Sequence, residues 1–111
     1  MTVALFKILL LLLKISFDMI TVKVRILTGL KNKVGSDEVT LLFDKPVSIR
    51  RVLEAICEKF NLRNEDIFWF NILRPDLRIF VNGVDYLILG GLDAIIEQSC
   101  EIVLLGVSHG G

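Results

Sequence analysis

One segment of this chain repeats its apolar residues with a helical period, and the apolar segments on both sides of it are short and strand-like. Six apolar residues form the helical stripe, with charged residues around the other side: Ile49, Val52, Leu53, Ile56, Cys57 and Phe60. Ser48 can supply an N-cap oxygen, and Val47 and Val52 are close to the spacing of a hydrophobic staple. We therefore predict one substantial helix, from about Ile49 to Phe60.

Two strands are predicted before this helix. In residues 20–27 every second side chain is a branched apolar one, a period of two that is typical of a strand with one buried face. Residues 29–37 are polar and punctuated by glycine, and Val39–Phe43 then returns to apolar β-formers. Because one local loop joins the two strand segments, we expect them to form a hairpin.

The segments after the helix are shorter. Asn61–Asp76 is interpreted as an irregular insertion that is anchored by the aromatic residues 68–70. Asn82-Gly83 favours a tight turn, because both residue types accept the positive φ angles that such a turn requires. The elements predicted around this turn are a strand at Leu77–Val81, a short strand at Val84–Leu89, one helical turn at Leu92–Ile96 and a last strand at Glu101–Val107.

The predicted order of elements is strand, strand, helix, strand, short strand, strand. A single helix can cover one face of the sheet, which defines an α+β architecture. The first and last strands both have the apolar character of internal strands, so we expect them to pair in parallel at the centre. The predicted fold class is therefore a β-grasp fold, a mixed sheet with one main helix packed on one face. With 111 residues, 53% of them hydrophobic, the chain should form one such domain over residues 19–111.

The charge of the chain is balanced, with 13 basic and 13 acidic residues. No general cationic field therefore attracts nucleic acid or an anionic membrane, and direct binding of nucleic acid is not expected. Cys57 and Cys100 lack the CxxC spacing and are too few for a disulfide framework. They are interpreted as small buried apolar residues, and this cysteine usage indicates a reducing, cytoplasmic location.

The first 18 residues are an apolar extension, and three interpretations of it are considered: a membrane span, a secretory signal and a segment that precedes the physiological start. Residues 3–17 are nearly all apolar, but the uninterrupted run Ile8–Leu13 is too short for a helix that spans a bilayer. No small-residue cleavage site follows the run, so a secretory signal is not expected either. The third reading is that Met19 is the physiological start, because the strand pattern begins directly after it. If the extension is present, it should form a short apolar helix or strand that the domain, a partner or a lipid surface covers.

The chain ends in Ser108-His109-Gly110-Gly111, directly after the last predicted strand. Glycine has no Cβ, so Gly110 and Gly111 form a narrow segment that can thread an enzyme channel and leave the terminal carbonyl open to attack. At neutral pH the α-carboxylate of Gly111 is an anionic oxygen nucleophile that can attack the α-phosphate of ATP. His109 is the only histidine, and we interpret it as a solvated tail residue or as a contact with an activating enzyme.

With this tail and the predicted element order, the chain resembles the family of ubiquitin-related modifiers. In that family a stretch similar to Ile79–Tyr86 precedes a Gly-x-Leu-Asp element, which is present here at residues 90–93. The final strand of such proteins ends in His-Gly-Gly, as the chain does here. More distantly, the chain is similar to ThiS and to the small subunit of molybdopterin synthase, MoaD, whose tail resembles Val107-Ser108.

The chain departs from the family pattern at two places. Families of this kind commonly have an acidic or glycine-containing turn before the last strand, where this chain has Gln98-Ser99-Cys100. The insertion around Trp69 is also unusual, and it could alter which partner is recognised.

The resemblance implies a ubiquitin-like sulfur carrier, which is not an enzyme but the substrate of one. A ubiquitin-activating-type adenylyltransferase and sulfurtransferase would adenylate Gly111, and a persulfide or thiol would then replace AMP to give a thiocarboxylate or thioester. ATP would be used by that partner, and no bound cofactor is expected on this chain. The implied outputs are sulfur transfer, such as tRNA thiolation, and conjugation to lysine amines.

Two alternative functions are considered beside this one. The chain could be the small subunit of molybdopterin synthase, whose tail inserts into a larger synthase subunit. It could also be a β-grasp binding module without tail chemistry, associated with a membrane through residues 1–18. No HExxH motif and no nucleophile with a base and an orienting group are found, so neither a catalytic residue nor a metal site is expected in the chain. For a carrier, we expect an exposed apolar patch of the sheet beside the tail to recognise the partner.

Overall fold

A five-stranded mixed sheet and one long helix form the centre of the fold. The computed structural model describes residues 4–11 and 19–107. The helices in these residues are α1 (residues 4–11), α2 (Lys31–Val34) and α3 (Ile49–Phe60), with a 3₁₀ turn at Asn64–Asp66. The strands are β1 (Ile20–Leu27), β2 (Glu38–Phe43), β3 (Val47–Ser48), β4 (Phe68–Trp69), β5 (Ile72–Leu73), β6 (Leu77–Val81), β7 (Val84–Asp85), β8 (Ile95–Ile96) and β9 (Cys100–Gly106). The main sheet has the order β2-β1-β9-β6-β7 and α3 packs on one face, so the predicted α+β, β-grasp class is confirmed.

The first and last strands of the main sheet lie side by side and run in parallel, as predicted. Val22 is paired with Cys100 at one end of this ladder, and Leu27 with Leu105 at the other. β2 forms the predicted antiparallel hairpin with β1, although the loop between them contains the short helix α2, which the sequence did not indicate. β6 pairs with the other edge of β9, so β9 is the central strand.

The core lies between the sheet and α3. The Ser48 hydroxyl oxygen accepts a hydrogen bond from the Arg51 amide at 3.0 Å, and the helix ends at Asn61, whose φ of 53° is left-handed. The predicted helix bounds and N-cap are therefore confirmed. The side chains at the centre of the core are at most 1% exposed and come from β1, α3, the insertion, β6 and β9: Val22, Val24, Ile26, Ile49, Val52, Leu53, Ile56, Ile67, Ile79, Ile102 and Leu104.

The prediction of a helical turn at Leu92–Ile96 is wrong. The segment contains no helix: Leu92 and Asp93 lie in a turn in which the Ala94 amide donates a hydrogen bond to the Gly91 carbonyl oxygen at 3.1 Å. The last two residues form β8, which pairs in antiparallel with β3. The carbonyl oxygens of Leu92 and Ala94 accept hydrogen bonds from the amides of Arg50 and Ile49, at 2.9 Å and 3.0 Å. Amides in the first turn of a helix have no partner within the helix, so α3 takes its acceptors from this segment and holds it at the start of the helix.

The predicted strand at Val84–Leu89 is shorter than expected. The tight turn before it is confirmed, because Asn82 and Gly83 have φ angles of 48° and 82°. β7 then ends at Asp85, whose carboxylate accepts a hydrogen bond from the Leu87 amide at 2.9 Å. The Asp85 carbonyl oxygen also accepts from the Ile88 amide at 3.0 Å. Because Asp85 satisfies these amides locally, the chain turns instead of continuing along β6.

The insertion at residues 61–76 is more regular than predicted. It contains the 3₁₀ turn and a small hairpin in which β4 and β5 pair, with Phe68 opposite Leu73 and Trp69 opposite Ile72. Phe68 is buried and anchors the hairpin to the core, whereas Trp69 is 47% exposed and Phe70 98% exposed. Of the three predicted aromatic anchors, only Phe68 therefore has that role.

The apolar extension is helical over residues 4–11. Every side chain of α1 is exposed, including Leu5 at 73% and Phe6 at 61%. Within residues 4–11 and 19–107, no helix has the length and apolar character needed to cross a membrane. A start at Met19 and a domain over residues 19–111 stay predictions.

Replacing Ser48 with alanine removes the side-chain acceptor at the start of α3. We expect the free energy of unfolding to fall by about 1 kcal/mol, because the Arg51 amide loses its hydrogen-bond partner. Ser48→Asp should retain most of the stability, since a carboxylate accepts the same bond and suits the helix N-terminus. Urea unfolding followed by circular dichroism measures both variants, and equal losses would contradict this capping role.

Candidate functional site

The residues predicted to react lie beyond the part of the chain that the structure describes. Gly111, the predicted attachment point, and His109 and Gly110, the predicted recognition residues, are outside the described residues. What the structure provides is the platform that carries this tail. The platform consists of β9, Val107 and the surfaces around them.

Val107, the last described residue, is held by the backbone at the end of the sheet. Its amide donates a hydrogen bond to the Asp76 carbonyl oxygen at 2.8 Å. Gly106, the residue before it, is paired with Leu77 in the register of β6 and β9. Since β9 lies between β1 and β6, its backbone is bonded on both sides. The chain therefore leaves the sheet from a fixed position on the central strand.

A groove of about 450 Å³ surrounds the point at which β9 ends. Two ion pairs lie in its walls: Lys33 Nζ is 2.9 Å from Asp66 Oδ1, and Arg74 Nε is 3.0 Å from Asp76 Oδ1. The hydrogen bond from Lys33 is the main cause that lowers the pKa of Asp66, and the hydrogen bond to Asp76 raises the pKa of Arg74. Asp66 and Arg74 are thus ionised at neutral pH, and the groove presents charges of both signs around the exit.

Gly106 permits a close approach between the end of β9 and the residue that follows β1. A Cβ atom at position 106 would lie 3.3 Å from Thr28 Cβ and 3.5 Å from Thr28 Cα. The first of these distances is shorter than an ordinary van der Waals contact, so a side chain here would require Thr28 to shift by a few tenths of an ångström. The absence of a side chain at Gly106 therefore helps to set the position of the exit.

The sheet face opposite to α3 presents a mixed apolar and cationic surface. Two rows of residues cross its three inner strands next to the exit, and we call them the open face: Arg25, Val103 and Phe80 in one row, and Leu27, Leu105 and Arg78 in the other. The arginines and Leu27 are exposed, and the other three side chains are half-buried. Leu105 directly precedes Gly106, so apolar surface lies beside the exit, where the sequence analysis expected a partner surface.

Neither cysteine has the environment of a reactive thiolate. Cys57 and Cys100 are free and half-buried. Burial is the main cause that raises the pKa of Cys57 to about 11, and burial also raises the pKa of Cys100. Both thiols are therefore protonated at neutral pH. Among residues 4–11 and 19–107, no group of three or more His, Cys, Asp or Glu side chains could hold a metal ion.

A contact between the insertion and the exit was not predicted from the sequence. Arg74 lies near the end of the insertion, and its guanidinium group lies 5.3 Å from the centre of the Trp69 ring and also pairs with Asp76. The hairpin was missed because its turn, Phe70-Asn71, contains no glycine. A detectable signal was present: two pairs of β-formers separated by two residues, the spacing of a two-residue hairpin.

Known proteins share both the sequence pattern and the fold of this chain. The family model of Urm1, the ubiquitin related modifier, matches residues 21–111. Among curated proteins, none matches the chain. The small archaeal modifier protein 1 from Methanosarcina acetivorans is 28% identical, with 84% of this chain and 98% of that chain covered and a TM-score of 0.68.

Two further solved structures are similar in fold. Urm1 from Trypanosoma brucei is 17% identical, with 85% of this chain and 98% of that chain covered and a TM-score of 0.67. A chain of the Amycolatopsis orientalis BexX/CysO complex is 21% identical, with 81% of this chain and 99% of that chain covered and a TM-score of 0.70. At these identities the similarity bears on the fold alone.

Replacing Gly106 with valine should destabilise the fold by about 1–3 kcal/mol, because the new side chain crowds Thr28 at the end of β9. Gly29→Ala is the matched control: Gly29 lines the same groove, but a Cβ there meets nothing within 4 Å. The control should change the free energy of unfolding by less than about 0.5 kcal/mol. Urea unfolding checks both variants, and a stable Gly106→Val variant would contradict the close approach.

Alkylation should show that Cys57 is unreactive at mildly alkaline pH. With its pKa raised from 9.0 to about 11, the thiolate fraction at pH 8 is roughly a hundredfold lower than for a free cysteine. The iodoacetamide rate at Cys57, followed by mass spectrometry of its peptide, should therefore be low at pH 8, rise about tenfold with each pH unit and level off only near pH 11. Denatured protein is the control, and an equal rate in folded and denatured protein at pH 8 would contradict the shift.

Proposed function

This chain belongs to the Urm1 family of ubiquitin related modifiers, and we propose that it is a sulfur carrier whose C-terminal carboxylate is the substrate of an activating enzyme. One observation carries the proposal. The chain leaves the central strand of the sheet at Val107, four residues before Gly111, so a rigid platform is directly joined to a short glycine tail. The family match also extends to residue 111 and therefore includes this tail.

The first proposed step is adenylation of the tail. The Gly111 carboxylate oxygen attacks the α-phosphate of an ATP molecule held by the partner enzyme, an O–P bond forms, and pyrophosphate leaves. The product is an acyl adenylate at Gly111. A terminal glycine suits this step, because it has no side chain that would block the approach to its carbonyl group. In this proposal ATP is used by the partner, and the carrier holds no cofactor of its own.

The second proposed step replaces AMP with sulfur. A persulfide sulfur attacks the carbonyl carbon of Gly111, and AMP leaves. A thiol then attacks the inner sulfur of the donor, the S–S bond breaks, and Gly111 keeps a thiocarboxylate while a disulfide forms on the donor side. A simple thiol in place of the persulfide would instead give a thioester. Because burial keeps Cys57 and Cys100 protonated, the thiols of the carrier itself do not compete as nucleophiles.

The chain is thus proposed to act as a carrier in the cytoplasm and not as an enzyme. Its partner would be a ubiquitin-activating-type adenylyltransferase with sulfurtransferase activity, which binds the open face. Leu27 and Leu105 offer apolar contact beside the exit, and Arg25 and Arg78 favour an acidic partner surface around it. Charge complementarity of this kind mainly accelerates association and selects the partner.

The activated tail supports more than one output. Transfer of the thiocarboxylate sulfur to tRNA is the proposed main output, and conjugation to lysine amines uses the same activated carbonyl. A small subunit of molybdopterin synthase would also use the tail, but inside a larger synthase subunit. A binding module without tail chemistry would need no carboxylate at Gly111.

Deleting Gly111 should abolish activation without changing the stability of the fold. The carbonyl group would then end about 3.5 Å short of its position in the partner enzyme, since each extended residue spans that length. We expect the rate of ATP–pyrophosphate exchange with a recombinant ubiquitin-activating-type enzyme from the same genome to fall at least about a hundredfold. Urea unfolding is the control for folding, and it should be unchanged because Gly111 follows the last strand.

Intact mass spectrometry of the chain from its native cells provides a second readout. Replacement of one carboxylate oxygen by sulfur should add about 16 Da to the original chain and nothing to the variant without Gly111. Full exchange activity of the deletion variant would contradict the proposal. A variant that keeps its partner and its cellular function would favour the binding module instead.

A further inference from the structure

The tip of the β4–β5 hairpin exposes three large apolar side chains. Trp69 is 47% exposed, Phe70 98% and Ile72 64%, and we call these residues the aromatic tip. Phe68 and Leu73, on the other side of the same hairpin, are buried in the core. The hairpin is therefore anchored by one side and presents the other outward. A single exposed apolar residue is ordinary on a protein surface, but adjacent ones that project from one hairpin indicate a contact surface.

The backbone at Phe70 is strained. Phe70 and Asn71 have φ angles of 48° and 68°, the positive values that a two-residue type I′ turn requires. A bulky residue rarely adopts such an angle, and Phe70 gains no packing in return because it is almost fully exposed. At another turn with two positive φ angles the chain has Asn82-Gly83, two residue types that accept such angles. The phenylalanine at position 70 is thus unfavourable for the turn, which points to a role outside the fold.

Two arginines hold the tip in place. Arg50 Nη1 donates a hydrogen bond to the Asn71 carbonyl oxygen at 2.6 Å, while Arg50 Nε lies 3.2 Å from Asp93 Oδ1. On the other side the Arg74 guanidinium group lies over the Trp69 ring, 5.3 Å from its centre. The tip is therefore pre-organised, and a partner that binds it does not have to order it first.

Arg74 also joins the tip to the exit of the tail. Its guanidinium group pairs with the Asp76 carboxylate, and the Asp76 carbonyl oxygen accepts the hydrogen bond from the Val107 amide. Arg74 and Val107 line the same groove. The base of the aromatic tip, at Trp69, and the start of the tail, at Val107, are consequently joined by one continuous set of contacts.

We propose that the aromatic tip is a docking element for the enzyme that activates the tail, with Phe70 inserted into an apolar pocket of that enzyme. This inference rests on the proposed function. Continuity with the exit favours this occupant over a second copy of the chain. A membrane surface is less suited, because both arginines that hold the tip are paired with carboxylates and are less available to anionic headgroups.

Phe70→Asn separates docking from folding, because asparagine accepts a positive φ angle better than phenylalanine does. In urea unfolding this variant should be as stable as the original chain or more stable. In ATP–pyrophosphate exchange with the recombinant activating enzyme, its KM for the carrier should rise about tenfold or more, with kcat changed less than about twofold, as expected for a lost anchor residue. Ile88→Asn is the matched control, since Ile88 is 78% exposed but lies in the turn after β7, and its KM should stay unchanged.

The outcomes distinguish this inference from the proposed function. An original chain that supports no exchange would overturn the proposed function and this inference with it. If the original chain supports normal exchange, two results would overturn the inference alone. One is an unchanged KM for Phe70→Asn, and the other is a KM that rises as much for Ile88→Asn as for Phe70→Asn. Two further results would also overturn the inference if the KM of Phe70→Asn stays normal. One is a dimer in sedimentation that Phe70→Asn dissociates and Ile88→Asn does not. The other is flotation with phosphatidylserine vesicles that Phe70→Asn abolishes and Ile88→Asn does not.

Discussion

The parallel ladder between β1 and β9 is the constraint on which the rest of this structure depends. It joins residues almost eighty positions apart in the chain, with Val22 opposite Cys100. Parallel neighbours cannot be joined by a tight turn, so the intervening chain has to cross the sheet, and α3 is part of that crossing. The crossing buries α3 against β1 and β9. It also makes the last strand the central one, which is why the chain end leaves from the middle of the sheet and not from a weakly held edge.

A fold with one main helix has two sheet faces with different roles. The helix-facing side chains of β9, Ile102 and Leu104, are at most 1% exposed, while Val103 and Leu105 on the other face are half-buried. The apolar character of β9 on both faces therefore has two causes. The side chains on one face are buried in the core, and those on the other face supply the apolar part of the surface beside the exit. Arg25 and Arg78 lie on that same face and keep it compatible with water.

Elements decided by local sequence were predictable, and elements decided by distant partners were not. The period of Ile49–Phe60 and the cap at Ser48 are local, so the bounds of α3 follow from the sequence alone. The segment Leu92–Ile96 is a short apolar run whose period is ambiguous, and its conformation is decided by the amides of Ile49 and Arg50.

The same distinction applies to the candidate site. The tail residues were predicted because they are consecutive in the sequence. The groove around the exit was not, since Lys33 and Asp66 are 33 positions apart and nothing in either local sequence indicates the pair. Phe70-Asn71 was missed for another reason: propensity argues against a phenylalanine at a positive φ angle, and the structure adopts that angle nonetheless.

The division between a narrow tail and a rigid platform limits where specificity can come from. In the proposed function, Gly110 and Gly111 give an enzyme backbone groups but no side chains to distinguish, so within the tail only Ser108 and His109 could contribute side-chain specificity. We therefore expect most of the discrimination between partners to come from side chains that the platform holds in fixed positions. Arg74 has a special place in this arrangement, because it contacts Trp69 and pairs with Asp76, whose carbonyl oxygen fixes Val107. Through these contacts the Trp69 ring is held in a fixed position relative to Val107, where the proposed reactive tail begins.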